Sequence, residues 1–272
     1  MRTLSGASGT SAEDQVPNEQ AFAEQAETFR GSAALVQHAD AFTDSNARLT
    51  AGRTGQIADE ASLAERIPAR REPLLKRPLD IALAGAMLVA SAPLWAVVAL
   101  AIKREDGGPI FYRQERWGRR GTHFAVLKFR TMVADSDSRF GVRQAAEGDS
   151  RITRVGRFLR ACGMDELPQL LNIFRGEMSF VGPRALATNE RDRAGNPLAY
   201  DALPGFEVRM GVRPGLTGVA TIYLPKDASV RRKFQADLLY VRQLSFWLDV
   251  RLIALSFLIS FRGKWETRGN KV

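Results

Sequence analysis

Apolar residues are spread very unevenly along this chain. Through residue 72 they are sparse, and Ala, Ser, Thr, Gln, Glu and Gly dominate. Phe22, Ala26 and Phe29 fit a helical turn or two, yet nothing nearby supplies a core for them. Residues 1–72 therefore read as a polar, disordered tail, and their start lacks the basic-then-apolar pattern of a cleaved secretion signal. The pattern changes abruptly at Leu79. Residues 79–102 form an apolar run of 24 positions with one charge, Asp80. As a helix the run would reach about 36 Å, against a hydrocarbon core of about 30 Å, so its length permits a crossing. Lys76 and Arg77 precede it and Lys103 and Arg104 follow, so the cations favour neither orientation. Ser91 and Pro93 stand at its middle, where proline removes a backbone bond and bends a helix. A re-entrant hairpin over residues 73–104, entering and leaving by one membrane face, meets both facts. A plain spanning helix and a buried soluble helix are the alternatives.

The remaining residues, 105–272, alternate between short patterned segments and polar loops. Residues 109–132 predict a β-hairpin turning at Trp117 to Gly121, with Lys128 and Arg130 at alternate positions on one face. Residues 133–150 and 188–205 read as loops, and residues 151–160 as a basic amphipathic helix. Its arginines could meet lipid headgroups, substrate phosphate or only water. In residues 165–184, Leu167, Leu170, Leu171 and Phe174 recur at i, i+3, i+4 and i+7, the buried face of a short helix ended by Gly176. Ser179 to Arg184 then reads as a short apolar strand and a turn that presents Arg184. A turn-rich segment holds Arg213 on a Pro-Gly bend. Helical pattern resumes near Ser229 and runs to Phe261. Within it Ser245, Asp249, Ser256 and Ser260 fall within roughly 60° of one face, which suits an interfacial helix better than a spanning one. The predicted class is α+β, mainly helical and monotopic, with a re-entrant membrane helix, one small hairpin and interfacial amphipathic helices.

Charge sharpens this picture. The net charge is +9, but residues 1–72 hold 7 Lys/Arg against 11 Asp/Glu, leaving 32 against 19 in the rest. A basic body suits a phosphate-rich partner: nucleic acid, a nucleotide-sugar or an anionic headgroup. No nucleic-acid-binding motif is recognisable, and such binding would leave the apolar run unexplained. Cys162 is the only cysteine, so no intrachain disulfide can form, and its small apolar side chain is expected to be buried. His38 and His123 are too far apart for metal-ligand spacing. The adjacent carboxylates Asp165 and Glu166 attract most interest. Taken alone, Asp-Glu in a first helical turn is a cap and a dipole partner; the same position also lies beside a natural anion site.

Several motifs together resemble one family, the bacterial sugar transferases known as monotopic phosphoglycosyl transferases or polyprenyl-phosphate hexose-1-phosphate transferases. They are Lys76-Arg77 with Asp80, the bent apolar run, Gln114-Glu115-Arg116, Lys128 to Met132, Asp165 to Leu170, Ser179 to Arg184 and Arg213 to Gly218. They fall in the family's order across residues 75–262. The chain departs from the pattern at Ala185, where proline is common, and at Val219 to Ile222. The resemblance implies transfer of sugar-1-phosphate from a UDP-sugar to a polyprenyl (undecaprenyl) phosphate, with release of UMP, at the start of exopolysaccharide or other surface-glycan synthesis. It implies Asp165 as covalent nucleophile, Glu166 as the residue associated with Mg²⁺, and Lys128, Arg130, Arg160, Arg184 and Arg213 as phosphate or substrate contacts. The implied location is the cytoplasmic face of the bacterial inner membrane, in contact with membrane lipid; self-association into a homodimer is left open. A carboxylate nucleophile is already ionised at neutral pH, which fits the scarcity of histidine. The alternative function is a catalytically silent, membrane-docked scaffold for glycan-assembly enzymes.

Overall fold

The structure, a computed structural model, describes residues 71–136, 148–190, 198–225 and 228–261. The expected tail over residues 1–70 and the centres of the two predicted loops lie outside the described residues.

The apolar run forms one long helix, α1 (Lys76–Asp106), 31 residues with Pro93 inside it. The helix continues through Ser91 and Pro93, the position of the expected bend in the re-entrant helix. The Ser91 hydroxyl donates to the Met87 carbonyl at 2.6 Å and accepts from the Trp95 indole at 3.1 Å. The serine hydroxyl back-bonds to a carbonyl one turn before it, a contact that commonly bends a helix, while the carbonyl that loses its donor to Pro93 is that of Val89.

Both ends of α1 are fastened to the same folded body. At the start, Lys76 Nζ donates to Asp249 Oδ2 at 2.7 Å, the Val181 carbonyl at 2.8 Å and the Tyr240 hydroxyl at 3.2 Å. Arg77 donates to the carbonyls of Ile173 and Phe174, at 2.6 and 2.7 Å. Asp80 accepts from the Ser179 hydroxyl and the Phe180 N–H, each at 3.0 Å. At the other end Val98 and Ile102 are buried with Phe129 and Leu159. There the Glu105 carboxylate accepts the first N–H groups of the next helix, from Arg154 at 2.6 Å and Val155 at 3.1 Å. The middle of α1 faces outward, with Val89 78% exposed.

The predicted hairpin is present as antiparallel strands β1 (Phe111–Trp117) and β2 (His123–Phe129), in register from Phe111↔Phe129 to Trp117↔His123. Its Phe111 and Phe129 rings stack with each other and pack against Trp95 of α1. Helix α2 (Arg154–Ala161) follows, capped by Thr153, whose hydroxyl accepts from the Gly156 N–H at 2.9 Å. Gly156 is required by close approach: a Cβ there would lie 2.1 Å from the Thr131 carbonyl oxygen.

Helix α3 (Gln169–Arg175) packs against α1 and β2. Its buried face is Gln169, Leu170, Asn172 and Ile173, while Phe174 is 46% exposed, so the predicted face is rotated. Asn172 explains the rotation. It is fully buried, accepts the Leu127 N–H at 3.0 Å and donates to the Ala125 carbonyl at 2.8 Å, stitching α3 to the edge of β2.

Two short parallel strands, β3 (Ser179–Val181) and β4 (Gly215–Thr217), form the second sheet. The segment read as a Pro-Gly bend thus includes a strand, placed where a Cβ on Gly215 would lie 2.1 Å from the Gly182 nitrogen. Helices α4 (Phe206–Met210), α5 (Val219–Tyr223), α6 (Val230–Gln243) and α7 (Phe246–Phe261) complete the fold. The predicted helix from Ser229 to Phe261 is two helices, broken at Leu244, whose backbone leaves the helical region. Two members of the polar stripe of α7 face inward, Asp249, which is 1% exposed, and Ser256, which shares a 2.6 Å hydrogen bond with Thr217, while Ser245 and Ser260 at its two ends are exposed. Trp247, Phe257 and Leu258 are its exposed large apolar side chains among the described residues.

Candidate active site

Asp165 and Glu166 lie in a single 3₁₀ turn, Met164–Glu166, between α2 and α3. They precede α3 rather than opening it, because Gly163 turns into the left-handed region (φ 66°) and Pro168 delays the helix to Gln169. The turn packs against β2 and α2, the elements that carry the cations around it.

Lys128 projects from β2 and its Nζ pairs with Glu166 Oε1 at 2.5 Å. Arg160, in the last turn of α2, donates from Nε to the Thr131 hydroxyl at 2.9 Å and acts electrostatically on Asp165. Arg184 follows β3 and acts on Glu166. Arg184 is exposed, and its guanidinium makes no hydrogen bond to the described residues. These three cations gather at the carboxylates as expected.

Arg130 and Arg213 do not. The Arg130 guanidinium is held by Asp106 at the end of α1, with Nη1 2.6 Å from Oδ2, and by the Pro109 carbonyl at 2.6 Å. Arg213 pairs with Glu72 and donates to the Gly176 carbonyl at 3.0 Å, at the opposite end of α3 from the carboxylates. Both arginines tie segments together. Cys162 also departs from expectation, being exposed at the end of α2.

Arg116 joins the group without having been assigned to it. It donates to the Ala185 carbonyl at 2.7 Å and to the Gln114 side chain, and its Nε is buried without a partner. Burial and the neighbouring Arg184 push its pKa down to about 10. The hairpin register supplied a signal: Tyr112 lies opposite Lys128 and Arg116 opposite Phe124, so Arg116 shares the Lys128 face. Tyr200, which donates to Glu190 at 2.9 Å, borders Arg116 and Arg184 electrostatically, and nothing in its loop sequence announced this.

The two carboxyls are pushed in opposite directions. Burial raises Asp165, and the Glu166 charge adds to that, against the lowering effects of Lys128 and Arg160. Burial pushes Glu166 up as well, but Lys128, with Arg184 and Arg116, outweighs it and holds Glu166 below its usual value. Adjacent groups separated in this way suit different roles. Among the described residues no three His, Cys, Asp or Glu side chains come together as a metal cage. Two hard carboxylates beside each other do fit Mg²⁺, which commonly binds through one or two carboxylates and leaves its other positions to phosphate and water. The arrangement as a whole is a carboxylate pair bordered by Lys128, Arg160, Arg184 and Arg116.

Comparison with known proteins agrees with this geometry. The family model for bacterial sugar transferases matches residues 71–263. The UDP-glucose:undecaprenyl-phosphate glucose-1-phosphate transferase of Caulobacter vibrioides is 43% identical over 186 residues, 66% of this chain and 67% of that protein. The exopolysaccharide production protein PSS of Rhizobium leguminosarum is 40% identical over 185 residues, 66% of this chain and 92% of its own. The undecaprenyl-phosphate glucose phosphotransferase of Komagataeibacter xylinus is 42% identical over 188 residues, but the matched part of this chain spans only 35% of that longer protein. The match covers α1, the hairpin, the carboxylate turn and every cation around it, and the chain belongs to the bacterial sugar transferase family.

Proposed function

We propose that this protein transfers sugar-1-phosphate from a UDP-sugar to undecaprenyl phosphate, as the first step of an exopolysaccharide or other surface glycan. The observation that carries the reading is the Asp165–Glu166 pair, half-buried, with Lys128 and Arg160 acting on Asp165 and Lys128, Arg184 and Arg116 acting on Glu166. A carboxylate attacks phosphorus only where the phosphate's own charge is masked, and these cations supply that masking.

In the first half-reaction an Asp165 oxygen forms a bond to the sugar-bearing phosphorus. The P–O bond to the other phosphate breaks, and UMP departs with the electron pair. In the second, an oxygen of undecaprenyl phosphate attacks the same phosphorus, Asp165 leaves as a carboxylate, and a lipid diphosphate-linked sugar is formed. Neither half requires a proton, so no general base is needed. Lys128 keeps Glu166 ionised, and Glu166 would hold Mg²⁺ together with the donor's phosphate oxygens. Bound there, the metal would supply further neutralisation of the diphosphate charge. Arg184, with a free guanidinium, is assigned to the donor's phosphates.

The acceptor carries its phosphate at a membrane surface, and α1 suits a monotopic arrangement in that surface. Its two ends are held by one body while its apolar middle is exposed, which supports a re-entrant path with the active site on the cytoplasmic face of the inner membrane. The exposed apolar side of α7, opposite the inward Asp249 and Ser256, suits the same interface. The scaffold alternative gives no reason for a cation cluster around the Asp165–Glu166 pair. Purified protein in detergent, assayed for UMP release across UDP-sugars with Mg²⁺ and undecaprenyl phosphate, tests the proposal. Turnover of one donor that disappears in Asp165→Asn supports it, and equal release by the variant contradicts it.

A further inference from the structure

Arg184 combines a free guanidinium with a tightly gripped backbone. The grip comes from Arg209 on α4 and Asp237 on α6, each 2% exposed. Arg209 Nε and Nη2 pair with Asp237 Oδ2 at 3.0 and 2.7 Å. The same Nη2 donates to the Arg184 carbonyl at 2.5 Å, and the Arg184 backbone N–H acts on the Asp237 carboxyl, lowering its pKa against the effect of burial. The backbone of one residue thus meets both halves of one buried ion pair, its carbonyl bonded to Arg209 and its N–H facing Asp237 electrostatically. Phe234, one turn before Asp237 on α6, places its ring 5.3 Å from the Arg209 guanidinium and fixes it from another side.

Stability gives a poor account of this pair. Removing two charges from water costs several kcal/mol per ion, and apolar replacements of similar volume are often neutral or stabilising. We propose that Arg209 and Asp237 are positioning residues, which lock the Arg184 backbone so that its guanidinium is pre-aimed at the donor's phosphates. The inference rests on the assignment of Arg184 to the donor. Pre-organisation of this kind should appear mainly in donor binding.

The test uses the full chain in detergent, with donor KM and kcat read from UMP release and folding read from thermal unfolding. The paired variant Arg209→Met/Asp237→Leu removes both charges together. It is expected to unfold near the wild-type temperature while donor KM rises about tenfold, in the same direction as in Arg184→Ala. Added to Arg184→Ala, the paired change should alter KM less than about twofold, since its target is already gone. A folded paired variant with wild-type KM, or one whose effect adds in full to Arg184→Ala, overturns the proposal. Arg209→Lys provides a second route: it keeps a cation for Asp237, but a single ammonium does not reproduce the fork that also serves the Arg184 carbonyl. An unchanged KM there is equally contrary. If Arg184→Ala itself has wild-type KM, the donor assignment of Arg184 falls, and the positioning role falls with it.

Discussion

Asp165 and Glu166 are chain neighbours, yet their surroundings drive them apart. At Glu166 the contact with Lys128, with Arg184 and Arg116 behind it, together outweighs burial, whereas at Asp165 burial outweighs Lys128 and Arg160. A nucleophilic Asp165 must be ionised, so activity should fall as pH drops through its raised pKa. The acid limb of kcat/KM is therefore expected above the ordinary aspartate value. Lys128 lowers the Asp165 pKa, so Lys128→Met should move that limb to still higher pH. A limb that stays in place would mean the two groups are not coupled. Asp165→Asn should reduce UMP release by at least about a thousandfold, as loss of a nucleophile typically does. Most of this site was legible in the sequence because its residues fall in short local motifs. Arg130 and Arg213 are bound away from the carboxylates, which the strand pattern does not reveal: it shows which face a side chain takes, not that Asp106 or Glu72 waits to bind it. Arg209 and Asp237 left no local trace at all, being joined only when α4 meets α6.

At the scale of elements, the fold depends on polar bonds buried beneath apolar helices. Lys76 and Asp249 are both almost fully buried and join the start of α1 to α7. Lys76→Met strands the Asp249 carboxylate, and a loss of about 3–5 kcal/mol in unfolding free energy is expected. The paired change Lys76→Met/Asp249→Leu should recover much of that loss, and chemical denaturation in detergent can compare the two. The periodicity of α7 was legible, but the direction of its polar stripe was not. In water, polar residues face out and apolar residues in; a helix whose exterior is lipid reverses the assignment, and pattern alone does not say which solvent it meets. The rotated face of α3 has a similar cause. Asn172 is polar, so an apolar pattern excludes it, although its hydrogen bonds to β2 make it the most buried contact on the helix.

For the whole molecule, the decisive feature is that one body holds both ends of an apolar helix long enough to cross a membrane. In a Cys162→Ser background, Leu75→Cys and Arg104→Cys should both react with a membrane-impermeant maleimide in inverted vesicles. Val89→Cys should be protected there. Labelling of the two end positions from opposite sides would mean a spanning helix and would separate the site from its anchor. The central claim, however, is chemical, and it is tested most directly by trapping the intermediate. Membrane-bound enzyme is given a UDP-sugar labelled in the sugar-bearing phosphate, with Mg²⁺ and no lipid acceptor. Label should appear on the protein, map to Asp165 and leave as lipid-linked sugar when undecaprenyl phosphate is added. Product formation with no labelled enzyme at any stage, or label mapping to another residue, would contradict the account.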